Sequence, residues 1–206
     1  MKFIKNIYKG LLSSFNHPYI SEKLLNNLKG PVLLHISDTP DDIYNYIFRL
    51  INILKPQFVI HTGDLADNIK LGNNKNLLSS YHKSVAKLID GLEENEYSKI
   101  YYALGNHDDY ETVSHLTKRG VILQADPFVI NDFSFIVSHY HKEYPVEFNL
   151  YGHSFEPAHY KQNETIGLNG VLNINIVDLS TKEVFHLDYP IGTNRFRRME
   201  TKKIGL

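Results

Sequence analysis

The apolar residues of the chain fall first into helix-like stripes and buried runs, and only later into short strand-like segments. Phe3, Ile7, Leu11 and Phe15 recur every four residues and predict an amphipathic first helix, and Ser21 to Gly30 reads as a second, short one. Val32 to Ser37 is apolar without alternation, as in a strand covered on both faces. Asp41 and Asp42 stand where helix caps stand, and Ile43, Ile47, Leu50, Ile51 and Leu54 then form one stripe that Pro56 ends. A second buried run, FVIHTGD, closes in a Gly-Asp turn. LGNNKN reads as loop, and Leu77 to Gly91 reads as a helix with Leu78, Tyr81, Val85, Leu88 and Ile89 turned inward. KIYYALGNHDD repeats the theme of an apolar strand ending in polar residues. Three such strand-helix repeats predict a parallel sheet with helices on its faces.

After Gly120 the texture changes. FVINDFSFIVSHYH, EFNLYGHSF, VLNINIVDL and EVFHLDY are short strand-like runs between turn residues, with little helix among them. Neither an internal repeat nor a linker separates the halves, so they read as two sheets of one domain over 1–206, with 1–30 as an N-terminal helical extension. The basic tail RFRRMETKK reads as a solvated terminus.

Composition narrows the choices. Lys and Arg total 22 against 23 Asp and Glu, so no global positive field favours a nucleic-acid backbone, and an anionic ligand would need a local site. The absence of cysteine excludes disulfides, thiolate metal sites and thiol nucleophiles, and fits a reducing compartment. Lys2, Lys5 and Lys9 interrupt the first segment, unlike the apolar core of a signal peptide, and no run reaches the roughly 18 apolar residues of a membrane span. The expectation is a cytoplasmic protein without a membrane segment.

The candidate chemistry lies at the strand ends. In an open α/β sheet, ligands bind beyond the carboxyl ends of the strands. Asp38, Asp64 and the GNHDD turn fall there, so three polar clusters should share one rim. Each alone has an ordinary reading: a helix cap, a turn residue, a hydrogen-bonded histidine. Together, HISDTP, HTGDLADN, LGNHDD, VSHYH and YGHSF occur in that order, each at the end of a strand-like run.

This series resembles the calcineurin-like metallophosphoesterase superfamily, whose pattern is D-x-H, G-D-x-x-D, G-N-H-[DE], a lone His, then G-H-x-H. The resemblance spans Asp38 to Phe155 and extends as far as Asp188. It implies a two-sheet α/β/β/α sandwich and a hydrolase that cleaves a phosphate mono- or diester with metal-activated water. Family members hold two divalent metals that clamp the attacking and leaving oxygens, and the donor types suit Mn, Fe, Zn or Mg. By resemblance Asp64 bridges the metals, while Asn106, His139 and His153 complete one shell. His107 contacts the phosphate and assists the leaving oxygen, and Asp67 orients His107.

The departures from the pattern concern one metal. Pro40 stands where the first motif has its histidine and Phe155 where the last motif has its second, and both missing ligands would serve the metal of Asp38. One tight metal site is therefore expected, with the second weak or absent. Asp41, Asp42, His141 and Glu156 are the residues that could substitute. The alternative function is a catalytically weak or inactive relative that binds metal or a phosphorylated ligand in a regulatory role.

Overall fold

The computed structural model describes residues 17–199. The helix expected over Phe3 to Phe15 and the last residues of the basic tail lie outside them. A short helix, α1 (Glu22–Asn27), opens on Ser21, whose hydroxyl accepts the Leu24 N–H at 3.2 Å, a side-chain cap. Among the described residues no helix is long and apolar enough to cross a membrane.

Two mixed sheets face each other. The first runs in the order β11-β10-β1-β2-β3-β4, built from β1 (Val32–Ile36), β2 (Phe58–His61), β3 (Lys99–Tyr102), β4 (Val121–Ile122), β10 (Ile174–Asp178) and β11 (Glu183–Leu187). Strands β1 to β4 are parallel, as the repeats predict. The second runs β5-β6-β7-β9-β8, from β5 (Phe128–Ile130), β6 (Phe133–Val137), β7 (Phe148–Tyr151), β8 (Tyr160–Gln162) and β9 (Thr165–Asn169).

The pleat divides β1 between two cores. Val32, Leu34 and Ile36 pack with the helix-side cluster, which includes Ile47, Leu50 and Ile51 of α2 (Tyr44–Leu54) and Val85 and Leu88 of α3 (Leu78–Glu93). Leu33 turns the other way, into an inter-sheet core with Ile60, Phe135, Phe148, Leu150 and Val177. A strand buried on both faces has no polar side to alternate, which explains its unbroken apolar run.

Several elements differ from the sequence expectation. The halves do not divide into one sheet each: β10 pairs antiparallel with β1, Leu33 opposite Val177, so the β10–β11 hairpin returns to the first sheet. LGNNKN is two 3-10 turns, Leu71–Asn73 and Lys75–Leu77, rather than open loop. The second turn changes the angular step into α3, and Leu78 comes out 44% exposed instead of inward. Asp41 and Asp42 lie within a 3-10 turn, Asp41–Ile43, that follows Pro40, and no side chain caps it. Helix α4 (Tyr110–Leu116), capped by Asp109, and strands β4, β8 and β9 are additional. In the basic tail, Arg197, one residue past α5 (Thr193–Phe196), is fully buried rather than solvated.

Candidate metal centre

The candidate residues sit just past strand ends, where the chain leaves the sheets. Asp38 follows β1, Asp64 follows β2, Asn106 and His107 follow β3, His139 follows β6 and His153 follows β7. Asp38, Asp64 and His153 are left-handed, with φ of 49°, 54° and 70°. Such turns throw the side chains back across the strand ends, at a cost that packing must offset. Glycine is needed where these turns touch. A Cβ on Gly105 would strike Asp64 and the His139 ring, and one on Gly152 would strike Ser37 and the Asp38 carboxylate.

Around His139 the structure gathers acceptors. Its Nδ1 lies 2.8 Å from the Thr62 carbonyl, an acceptor only, so the ring proton is at Nδ1 and Nε2 carries a lone pair. That lone pair faces Asn106 Oδ1 at 3.0 Å, His153 Nδ1 at 3.2 Å and Asp64 Oδ2 at 3.5 Å. His153 Nδ1 can carry a proton, and so can a neutral Asp64 carboxyl, but Asn106 Oδ1 brings none and an ionised Asp64 adds only lone pairs. Mutually repelling lone pairs at this spacing fit a cation between them, and the oxygen and imidazole donors suit a divalent transition ion. Burial, with Asp108, Asp38 and Asp67 nearby, pushes the Asp64 carboxyl up to about 9, as expected of a site short of positive charge. Thr62 is itself held from behind. Its hydroxyl meets His35 Nε2 at 2.9 Å, and His35 Nδ1 accepts from Asn175 at 3.0 Å. This support for a candidate ligand was not legible in the sequence, because β2, β1 and β10 must pair before it exists.

The Asp38 position is poorer in ligands. Asp38, Asp64 and His139 offer atoms within 4.8 Å of one another. Asp38 Oδ2 accepts the Ser37 hydroxyl and, at 3.1 Å, the His153 N–H. Thr39 is turned inward to His61 and the Leu65 carbonyl, at 2.8 and 3.0 Å, and Pro40 is buried. The residues that could substitute are engaged or exposed. Asp41 takes Asn68 and Ser84, His141 meets Tyr160, and Asp42 and Glu156 face solvent. Behind Asp38 lies Arg197, whose guanidinium donates to the carbonyls of Asp38 (2.6 Å), Ser37 (2.9 Å) and Val171 (2.9 Å). Among the described residues no carboxylate pairs with it within 4 Å, and these hydrogen bonds go to the backbone beneath the site.

His107 is placed, but not by Asp67. Its Nδ1 accepts the Gly72 N–H at 3.1 Å, which leaves the ring proton on Nε2. No hydrogen bond joins Asp67 to His107, although both lie with Asp64 in a second cluster spanning 4.8 Å. Burial and the Lys70 charge push His107 down to about 4, so the ring is neutral at physiological pH. Asp67 instead binds Lys70 Nζ through Oδ1 at 2.5 Å, and its Oδ2 is buried without a partner.

Asp108, the acid that closes GNHD, was also not singled out from sequence. Oδ2 accepts the N–H groups of Asp64 (2.7 Å) and Gly105 (2.8 Å), while Oδ1 accepts those of Leu65 (2.8 Å) and the Tyr81 hydroxyl (2.9 Å). One carboxylate thus ties the turn of Asp64 to the turn of Asn106. Tyr140 adds a further contact: half-exposed, it donates its hydroxyl to Asn106 Oδ1 at 3.1 Å, and its ring centroid lies 4.3 Å from that of His153.

A model described as calcineurin-like phosphoesterase matches residues 31–198. Among solved structures, the chain is similar to a novel archaeal phosphodiesterase, with a TM-score of 0.56 and 20% identity over 76% of this chain and 99% of that one. It is similar also to Yfce, a phosphoesterase from E. coli, with a TM-score of 0.53 and 13% identity over 75% of this chain and 96% of that one. At these identities the likeness in structure speaks for the fold. No curated protein matches the chain.

Proposed function

The chain belongs to the calcineurin-like phosphoesterase family, and from that premise we propose that it hydrolyses a phosphate mono- or diester at the strand-end site. The reading rests on one observation, the convergence of Asp64, Asn106 and His153 on the lone pair of His139. These four residues would hold one divalent ion tightly. Asp38, deprived of the two histidines replaced by Pro40 and Phe155, would hold a second one weakly or not at all. Bound there, a divalent ion supplies Lewis-acid activation of water and neutralises charge on the phosphoryl oxygens.

The protein's own groups complete the site. Thr62 keeps the His139 lone pair turned to the centre. His107, neutral and with its proton on Nε2, donates a hydrogen bond to a phosphoryl or leaving oxygen. It cannot also deliver a proton while Nδ1 is occupied by the Gly72 N–H, so the departing oxygen takes its proton from solvent. This narrows the general-acid role that the resemblance implies. Asp108 fixes the spacing of Asp64 and Asn106.

The test is metal content of the purified protein together with hydrolysis of an aryl phosphate monoester and a diester under added Mn. Turnover that disappears with chelation and returns with Mn is the expected result. A protein that binds one Mn tightly yet turns over neither ester would overturn the enzyme reading in favour of a phospho-ligand-binding relative.

A further inference from the structure

Lys70 lies where a solvent-facing lysine is not expected. It follows GDLADN in a left-handed backbone conformation, φ 52°, and its side chain is only 17% exposed. The ammonium rests on Asp67 Oδ1 at 2.5 Å, and the Asp67 side chain is completely buried. Asp67 in turn lies within 4.8 Å of Asp64 and His107.

Charge balance gives this cation a role. Asp38, Asp64, Asp67 and Asp108 crowd the centre as acids, and among the described residues Lys70 and Arg197 are the fixed cations that touch this set. With all four ionised around a bound cation, four negative against two positive charges leave a deficit that one divalent ion cancels. Before a phosphate group binds, a second divalent ion would leave an excess in a largely buried site, where uncompensated charge is costly. The two absent histidines and the inserted ammonium therefore point the same way.

We infer that the Lys70 ammonium takes the place of the second metal ion, so that one divalent cation and one lysine together grip the phosphate group. The inference rests on the phosphoesterase reading for its ligand class. Asp67 is then a positioning residue that holds the ammonium, rather than one that orients His107. With one of its three N–H donors on Asp67, the ammonium keeps two for phosphoryl oxygens, without the geometric demands of an ion.

The experiment uses Lys70→Met and Lys70→Arg beside the native protein, with folding checked by circular dichroism, and Lys70→Gln if Lys70→Met does not fold. Mn stoichiometry is read by equilibrium dialysis, and inorganic phosphate affinity by calorimetry at one equivalent of Mn. The native protein should bind one Mn. Lys70→Met should take up a second, as Asp67 is released to share a new ion with Asp38 and Asp64, and at one Mn its phosphate affinity should drop about ten-fold, the loss expected for a charged hydrogen bond. Lys70→Arg, which keeps the charge, should stay within about three-fold of native. The inference is overturned if the native protein already binds two Mn with similar affinity, or if Lys70→Met matches native in both stoichiometry and phosphate affinity. Hydrolysis unchanged in Lys70→Met would sink this inference and leave the phosphoesterase reading standing. The expected binding changes without ester turnover in the native protein would do the reverse.

Discussion

At the scale of single residues, the identity of a side chain says less than the atom facing it. His107 could serve a phosphate ester as proton source or as hydrogen-bond donor, and the Gly72 N–H on its Nδ1 decides for donor. Two substitutions separate the roles. His107→Ala should lower kcat by about a hundred-fold, the usual loss of one donor to developing charge, whereas His107→Gln, which retains a donor, should lose only about ten-fold. Equal losses in steady-state kinetics would restore the proton-source role. The pH profile carries the same sign: since His107 is held near 4, its second proton is acquired only as the pH falls through that value, and the rate should show no His107 inflection from pH 5 to 8. The motif residues were legible in sequence because each places a metal-type donor at the end of a strand-like run. Lys70, Asp108 and Arg197 were not, because lysine, aspartate and arginine are common surface residues whose burial is decided by distant partners.

At the scale of elements, the apolar runs of β1 to β3 were readable because burial on both faces leaves no polar interruption. Strands β8 and β9 were harder: they lie at or next to a sheet edge, with exposed and half-buried positions that blur the pattern. Nothing in a hydrophobic period names a pairing partner, so the return of β10 to β1 was also hidden. That return is pinned at its end by Asp178, buried, whose carboxylate accepts the N–H groups of Lys29, Gly30, Ser180 and Thr181 and the Ser180 hydroxyl. Against the effect of burial, these donors hold it down to about 2. A carboxyl held below its unfolded value, near 4, stabilises above that value, and the contribution fades as the pH falls through 2. Asp178→Asn should therefore cost about 1 to 2 kcal/mol at pH 7, and urea denaturation should show the gap closing as the pH approaches 2.5. A gap constant with pH would mean that the lost contacts, and not the charge, carry the effect.

At the scale of the whole molecule, the two sheets are joined by a compact aromatic core. Phe135 of β6 and Phe148 of β7 stack with centroids 4.9 Å apart and planes 13° from parallel, on the strands that lead to His139 and His153. Phe148→Ala should cost about 3 to 5 kcal/mol through lost contacts and the cavity left behind, measured by thermal or urea unfolding. Because β6 and β7 lead into His139 and His153, the same variant should also bind Mn more weakly while still folded. Unchanged Mn affinity would show that the strand ends hold their places without the core beneath them. The antiparallel pairing of β10 with β1 bears on the order in which the molecule can be made. As the chain emerges from a ribosome, β1 waits for a partner more than 140 residues downstream, Leu33 for Val177, or about 7 to 30 s at ordinary rates of synthesis. Until then one edge of the nascent sheet is open to wrong partners, and the Asp38 turn waits longer still for Arg197. The rim of candidate ligands is thus among the last parts of the protein to be born whole, and a chain stalled early exposes an unfinished edge before it holds any site.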